Sequence, residues 1–350
     1  MREFRSGRGP QPMRRRALAA WLPALLSLLL LAAAVAPAAA REVQIWFVPL
    51  TWNKKETGKG LEYTRHDFPA LIRPDAPWQT AASRVAVLGL PGNVVTSFPA
   101  LPDLVSFVRS RPWQIALNFG MEYSSPGCVV RLEGFSRDID VNREAVHIAQ
   151  RWHAAGGRLD YVLMDSPLHF AHFDRRGCQY SIAEAAAHAA TTLRGILAEF
   201  PAAKVVDAEG PGKQPTDAWL ADMGTWFTAF RQASGHPIDV VLLDLHWRDP
   251  RPFNTWQDTA SRAAAYFHRA GVPTGLIIDA EAVPGGTNAQ WIAQNRQHIA
   301  QSMQPDLGLD ILAIDQWQRR IERNLPETDP TAYTSLINDA YDAIRRANPQ

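Results

Sequence analysis

The sequence predicts an α/β protein, a (β/α)8 barrel of the TIM type that forms a single domain. Two observations support this prediction. Eight short apolar segments recur at intervals of roughly one βα unit, and helical patterns separate most of them. Apolar runs that are buried on both faces are typical of parallel strands. The eight predicted strands are residues 43–50, 84–90, 113–120, 159–167, 203–210, 238–247, 274–281 and 309–317.

Helical patterns fill most gaps after the third strand and also follow the last one. Several of them end at a Gly or Pro just before the next strand, which is a usual way for a helix to end. Ser181 and Glu184 have the spacing of a capping box. The polar stretches 51–79 and 91–103 contain no element that the pattern identifies. The predicted helices are residues 141–156, 181–200, 216–235, 255–271, 288–303 and 329–347.

The first 40 residues have the pattern of a secretory signal peptide. Three arginines at 14–16 precede an apolar run over 17–35, and three alanines at 38–40 form a small-residue cleavage site. This pattern predicts an exported protein, periplasmic or secreted, whose barrel domain is residues 41–350. The alternative is an uncleaved anchor, since the apolar run approaches the length of a membrane span. Cleavage of the signal peptide would leave no stable membrane insertion.

Composition and charge narrow the class of partner. The chain is 46% hydrophobic and 20% charged, which is ordinary for a globular protein. Residues 41–350 hold 30 Lys and Arg against 34 Asp and Glu. A weakly acidic chain without a basic run argues against a nucleic-acid partner. The sequence has no dinucleotide-binding, phosphate-loop or H-E-x-x-H motif, so we expect no cofactor and no metal.

The two cysteines, Cys128 and Cys178, follow the third and fourth predicted strands. Loops after neighbouring parallel strands lie side by side at the same end of a barrel. In an exported protein, a single pair of this kind predicts a disulfide. The alternative is two unpaired thiols.

Carboxylates follow most of the later strands. Side chains alternate along a strand, so an acid at its end can share a face with buried apolar residues. Barrel enzymes carry their active sites at the C-terminal ends of the strands, which predicts a site there. For any single acid, the alternative is a cap on the next helix or turn. The acids are Asp165, Glu209, Asp244, Asp279, Glu281 and Asp315, whereas Asp160, Asp239 and Asp310 lie at the N-terminal ends of their strands and are predicted to be structural.

Cleavage of a glycosidic bond requires two carboxyl groups, one to protonate the leaving oxygen and one to attack or to activate water. Asp165 and Glu209 are the first candidates for this pair, with Asp279 and Glu281 as replacements. Tryptophans follow the first, sixth and eighth strands, and their flat rings suit the apolar faces of sugars. Most other tryptophans are expected to pack between helices and barrel. The predicted substrate-binding residues are Trp52, Asp244, His246, Trp247, Asp315 and Trp317.

These residues resemble the TIM-barrel glycoside hydrolases that bacteria export, without matching a single family. In the large retaining clan the fourth strand ends Asn-Glu-Pro, where this chain has Asp165-Ser166-Pro167, with Ser166 at the Glu position. The clan's nucleophile ends the seventh strand, where this chain has Asp279 and Glu281. Residues 159–165 are also similar to barrels whose nucleophile is an Asp on the fourth strand. Residues 316–333 resemble the closing segment of such barrels, with Trp317 under the substrate. The resemblance implies a carbohydrate substrate.

Two alternatives remain open. The absence of a clean pair of glutamates is compatible with a catalytically silent barrel that binds glycans. His169, His172 and His246, together with the acids, are compatible with a metal-assisted hydrolase acting on a different bond.

Overall fold

Eight parallel strands close into one barrel, in the order in which they occur in the chain. All eight predicted strands are confirmed, and so is the (β/α)8 fold. Only β2 extends past its predicted limits, by one residue at its end. The strands are β1 (Gln44–Val48), β2 (Val87–Pro91), β3 (Gln114–Asn118), β4 (Tyr161–Asp165), β5 (Lys204–Glu209), β6 (Val240–Leu243), β7 (Thr274–Ile278) and β8 (Ile311–Asp315).

The structure is a computed structural model in which Val43–Gln350 group as one unit. Residues 1–41 are not described, so the predicted signal peptide lies outside the described residues. Over the described ranges, no helix is both long and apolar enough to cross a membrane. The described residues are 42–51, 53–57, 60–64, 67–120, 124–125, 128–129, 141–174, 178–247, 255–281, 286–316 and 321–348.

Helices cover the outside of the barrel. The six predicted helices are confirmed, and the capping box of Ser181 and Glu184 is present. The helix Leu101–Arg109, called α1, was not predicted, although its leucines and valines recur at helical spacing. Three shorter helices, Phe68–Leu71, Gln79–Ala82 and Gly92–Ser97, precede α1. The longer helices are α1 (Leu101–Arg109), α2 (Val141–Ala154), α3 (Ile182–Glu199), α4 (Thr216–Ser234), α5 (Trp256–Arg269), α6 (Asn288–Ser302) and α7 (Ser335–Ala347).

The polar stretch after β1 contains an antiparallel hairpin, in which Asn53–Thr57 pairs with Gly60–Thr64. A second, shorter hairpin joins Ser124–Ser125 to Cys128–Val129 after β3. Neither hairpin was predicted, because NKKET and SS contain no apolar residue that could alternate with polar ones.

The core has two layers. Alternate strand residues fill the barrel interior, where the rings of Trp46 and Tyr161 lie 4.9 Å apart between centroids. The other residues of each strand pack outward against the helices. Helix tryptophans such as Trp226 and Trp291 are fully buried in this outer layer, which confirms their predicted packing role.

Each of the strands β4, β6 and β8 has an aspartate at both ends. The three aspartates that precede these strands each accept a hydrogen bond from a backbone N–H of the neighbouring strand. They therefore fix the register of the barrel, as predicted. The bonds are Ile115 N to Asp160, Val205 N to Asp239, and Thr274 N to Asp310, each 2.8 Å long.

Asn324, which is fully buried, joins the segment after β8 to the segment after β1. Its amide pairs with both backbone polar groups of Leu50, at 3.0 Å to the N–H and 2.9 Å to the C=O. The carboxylate of Asp67 accepts hydrogen bonds from the backbone N–H groups of Asn324 and Leu325. The Asn324 side chain thus makes the two hydrogen bonds to Leu50 that the backbone of a neighbouring strand would otherwise make.

We expect Asn324→Ala to lower the free energy of unfolding by about 2 to 4 kcal/mol, because it leaves two buried backbone groups without their partner. Urea unfolding monitored by circular dichroism measures this change. Asn348→Ala, at the end of α7, is the matched control and should change stability by less than about 0.5 kcal/mol. Equal effects of the two variants would contradict the prediction.

No described cysteine is free, and Cys178 is disulfide-bonded. Cys128 is the only other cysteine of the chain, and its side chain lies outside the described residues. The Cys128–Cys178 pairing itself stays a prediction.

Candidate active site

Carboxylates from four elements meet at the C-terminal mouth of the barrel. In β4, Leu163 lines the barrel interior, and Asp165 continues the same face. Leu242, Ile277 and Ala313 line the interior in β6, β7 and β8, and the same alternation places Asp244, Asp279 and Asp315 above them. Their charges act on one another, which shows that they lie close together. The cluster, called here the mouth cluster, consists of Asp165, Asp244, Asp279, Glu281 and Asp315.

Burial is the main reason why the pKa values of the four aspartates in the mouth cluster are raised, and neighbouring charges add to it for Asp244, Asp279 and Asp315. Burial and the charges of Asp165 and Asp244 raise the pKa of Asp315 to about 7. Burial and the charges of Asp165 and Glu281 raise the pKa of Asp244 to about 6. The pKa of Asp279 is raised well above its usual range by burial and by the charges of its neighbours. Several of these carboxyl groups therefore carry a proton near neutral pH.

Asp165 is held by hydrogen bonds from both sides. The Nδ2 of Asn118, at the end of β3, donates to Asp165 Oδ2 at 3.2 Å. Burial raises the pKa of Asp165, whereas the hydrogen bonds from Asn118 and the Ser166 side chain act in the opposite direction. Neither Asn118 nor Ser166 was predicted as a site residue.

Glu281 and His246 lie together at the rim. His246 Nδ1 is 3.7 Å from Glu281 Oε1, and the His246 side chain is 69% exposed against 16% for Glu281. Asp244 lies near both residues. The charge of Glu281 therefore raises the pKa of Asp244, and His246 lowers it.

Asp279 is held from outside the barrel. It is 3% exposed, and its Oδ1 accepts a hydrogen bond from Trp247 Nε1 at 3.0 Å. The Trp247 ring stacks on His298 at 3.8 Å between centroids, and it also contacts Trp256. Trp247 was predicted to bind substrate, but its ring is buried in the outer layer and has no free face for a sugar. It positions Asp279 instead.

Glu209, predicted as a member of the catalytic pair, does not face the mouth. Val206 and Ala208 of β5 line the barrel interior, so Asp207 and Glu209 point outward between barrel and helices. Both acids are fully buried. Glu209 Oε1 accepts hydrogen bonds from the backbone N–H of Leu168 at 2.5 Å and of His169 at 3.2 Å.

Asp207 lies on the same outward face of β5. Its Oδ2 accepts a hydrogen bond from Trp226 Nε1 in α4 at 2.8 Å. Burial raises the pKa of Asp207 to about 7. This acid therefore belongs to the contact between barrel and helix and takes no part in the mouth cluster.

Gly210, which follows β5, allows the mouth cluster to pack closely. A Cβ at this position would lie 2.0 Å from the carbonyl oxygen of Asp244. Any side chain would therefore displace the backbone that carries Asp244. Trp52 and Trp317, both predicted to bind substrate, lie outside the described residues. No group of three or more His, Cys, Asp or Glu side chains in the described ranges is arranged to hold a metal ion.

Comparisons with known proteins identify the fold. No protein-family model and no curated sequence matches the chain. Solved structures do match, with a Cellulomonas fimi endo-beta-1,4-mannanase double mutant at 12% identity and a TM-score of 0.52, over 89% of this chain and 71% of that one. Native xylanase 10B from Thermotoga maritima matches at 10% identity and a TM-score of 0.51, over 88% and 97% of the two chains. The chain therefore has the TIM-barrel fold that this mannanase and this xylanase share.

Proposed function

We propose that this protein hydrolyses glycosidic bonds with two carboxyl groups of the mouth cluster. The observation that carries the proposal is the convergence of five carboxyl groups at one mouth, where burial raises the pKa values of the four aspartates by different amounts. This chemistry needs one protonated and one ionised carboxyl group. The fold shared with a mannanase and a xylanase agrees with a carbohydrate substrate.

We propose Asp165 and Glu281 as the catalytic pair. Asp165 is oriented by Asn118 and Ser166, and burial raises its pKa, as a proton donor requires. Glu281 lies at the rim of the mouth, with its Oε1 3.7 Å from His246 Nδ1. Asp279 is less suited, because Trp247 holds its buried carboxylate from outside. Glu281 thus takes the place that the sequence assigned to Glu209.

In the proposed reaction, Asp165 gives its proton to the leaving oxygen as the bond from that oxygen to the anomeric carbon breaks. Glu281 either attacks the anomeric carbon or takes a proton from the attacking water. In the first case, water then releases the sugar from Glu281 and returns a proton to Asp165. Burial favours the protonated form of Asp165, because it raises the pKa of that carboxyl group.

The charge of the mouth cluster narrows the substrate class. Five carboxyl groups lie at this mouth, and the charges of neighbouring acids add to the pKa values of Asp244, Asp279 and Asp315. A sugar with its own carboxylate would add repulsion to an already crowded set of negative charges. We therefore propose a neutral polysaccharide rather than a polyuronate.

The test is the release of reducing ends from neutral and acidic polysaccharides, between pH 5 and 7. Release from neutral substrates that persists in EDTA supports the proposal. Binding without release would favour the silent glycan-binding barrel. EDTA-sensitive cleavage of a phosphodiester or amide, with no sugar release, would favour the metal-assisted hydrolase.

We also propose that the protein is exported, periplasmic or secreted, and that its leader is cleaved after Ala40. We expect N-terminal sequencing of the protein purified from a bacterial host to begin at Arg41, with the protein in the periplasmic or extracellular fraction. Recovery of the full-length chain in the membrane fraction would instead support the uncleaved anchor.

A further inference from the structure

Glu209 is a fully buried carboxylate that the proposed reaction does not use. It lies on β5, and its Oε1 accepts two hydrogen bonds from the turn after β4. This turn begins at Ser166, directly after Asp165. The backbone N–H of Ser166 donates to Ala208 O of β5 at 2.8 Å, so β5 holds the start of the turn as well.

The turn that Glu209 holds has a strained backbone. Ser166 has a φ of 54°, in the left-handed region, which is strained for a residue other than glycine. Ser166 is also 6% exposed, and its side chain is hydrogen-bonded to Asp165. Such a conformation persists only when the surroundings fix it. The bonds to Leu168 and His169 are the contacts that fix this turn from the far side of β5.

A charged acceptor suits this role. Hydrogen bonds from backbone N–H groups to a carboxylate are stronger than those to a neutral acceptor. The Leu168 bond, at 2.5 Å, is short and buried. The turn then continues as the short helix His169–Phe173, whose first residue packs against Gly212. Glu209 thus connects the loops after β4 and β5 behind the proposed proton donor.

We propose that Glu209 is a positioning residue, which holds the turn after β4 so that the Ser166 hydroxyl and the Asp165 carboxylate keep their hydrogen-bonded geometry. This inference rests on the proposed function, in which Asp165 donates the proton. The sequence analysis predicts Glu209 as a member of the catalytic pair, whereas this proposal gives it a role without contact to the substrate.

The test compares Glu209→Gln with Asp207→Asn, a matched charge-neutralising change on the same outward face of β5. In Glu209→Gln we expect kcat to fall about 10- to 100-fold with little change in KM, because the proton donor is misplaced. We expect the high-pH limb of the kcat/KM profile to move to higher pH, because Asp165 loses a hydrogen bond that lowers its pKa. Asp207→Asn should leave the shape of the pH profile unchanged.

The second readout does not depend on activity. Carboxyl NMR titration should give a higher pKa for Asp165 in Glu209→Gln than in the wild type and in Asp207→Asn. Ser166→Ala, which removes the hydroxyl and leaves Glu209 in place, should raise it in the same direction. If Glu209→Gln does not fold, Glu209→Asp, whose shorter side chain draws the carboxylate away from the Leu168 N–H, is titrated in its place.

Unchanged titration of Asp165 in the Glu209 variant overturns the positioning role, whatever the result for Ser166→Ala. If the titration moves as expected but no variant and no wild-type protein cleaves a polysaccharide, the positioning role stands and the proposed function fails. If the wild type cleaves and Glu209→Gln keeps its kcat and pH profile, the proposed function stands and the positioning role fails.

Discussion

Replacing Asp165 by asparagine is expected to lower kcat on a cleaved polysaccharide by about 10²- to 10⁴-fold, the usual contribution of a general acid. Asparagine keeps the shape of the side chain and a carbonyl oxygen that Asn118 Nδ2 can reach, as it reaches Asp165 Oδ2 in the wild type. It has no proton to give to the leaving oxygen. Glu281→Gln should cause a loss of similar size, because the amide is neither a base nor a nucleophile.

The leaving group separates the two roles. The nitrophenolate of a nitrophenyl glycoside is a good leaving group that needs little protonation. Asp165→Asn should therefore retain much more activity on this substrate than on the polysaccharide. Glu281→Gln should lose activity on both substrates. The control is Asp306→Asn, an exposed residue between α6 and β8 on the opposite rim, which should leave both activities within about twofold. A loss below about threefold in Asp165→Asn, with binding retained, would show that the proton comes from another group.

The second large effect is on stability, which we expect to fall as the pH rises from about 5 to 8. The pKa values of Asp244 and Asp315 in the folded protein are about 6 and about 7, against a usual value of 3.8. The folded state therefore binds more protons than the unfolded state in this range, and the free energy of unfolding decreases with pH. The stabilisation is complete below the unfolded pKa and is lost as the pH passes the folded pKa.

The size of this effect follows from the shifts. One pKa unit corresponds to about 1.4 kcal/mol, so the free energy of unfolding should be at least about 2 kcal/mol higher at pH 5 than at pH 8. Urea unfolding at both pH values measures the difference. Asp315→Asn should reduce the difference, whereas Asp306→Asn should preserve it. Equal or greater stability at pH 8 would contradict the prediction.

The strands and most of the mouth cluster could be predicted from the sequence, because an acid after a buried strand is a strong local signal. The sequence does not predict whether Asp207 and Glu209 of β5 point into the barrel or out of it. Val205, Asp207 and Glu209 share one face, as predicted, but both faces of a parallel barrel strand are apolar. The alternation alone therefore does not say which face is inward. In β5, the residues that fill the interior are Val206 and Ala208.

Trp247 is different, because the sequence contained the signal that places it. Side chains alternate through Asp244, Leu245 and His246, so Trp247 falls on the face of Leu245 and not on that of Asp244. Asn118 and Ser166 also lie at strand ends. A search limited to acids and aromatic residues at those ends does not find them, although amide and hydroxyl groups orient a carboxylate as well as any charge.

The paired aspartates of β4, β6 and β8 make the mouth asymmetric. Their upper members place carboxyl groups at three alternate strands, whereas β2, the fourth alternate strand, ends Gly89-Leu90-Pro91 with no ionisable group. A sugar ring that becomes an oxocarbenium ion gains positive charge as its bond breaks. In the proposed reaction, those carboxyl groups that are ionised would stabilise this charge from the side away from β2, and the departing neutral chain would leave past the uncharged end of β2.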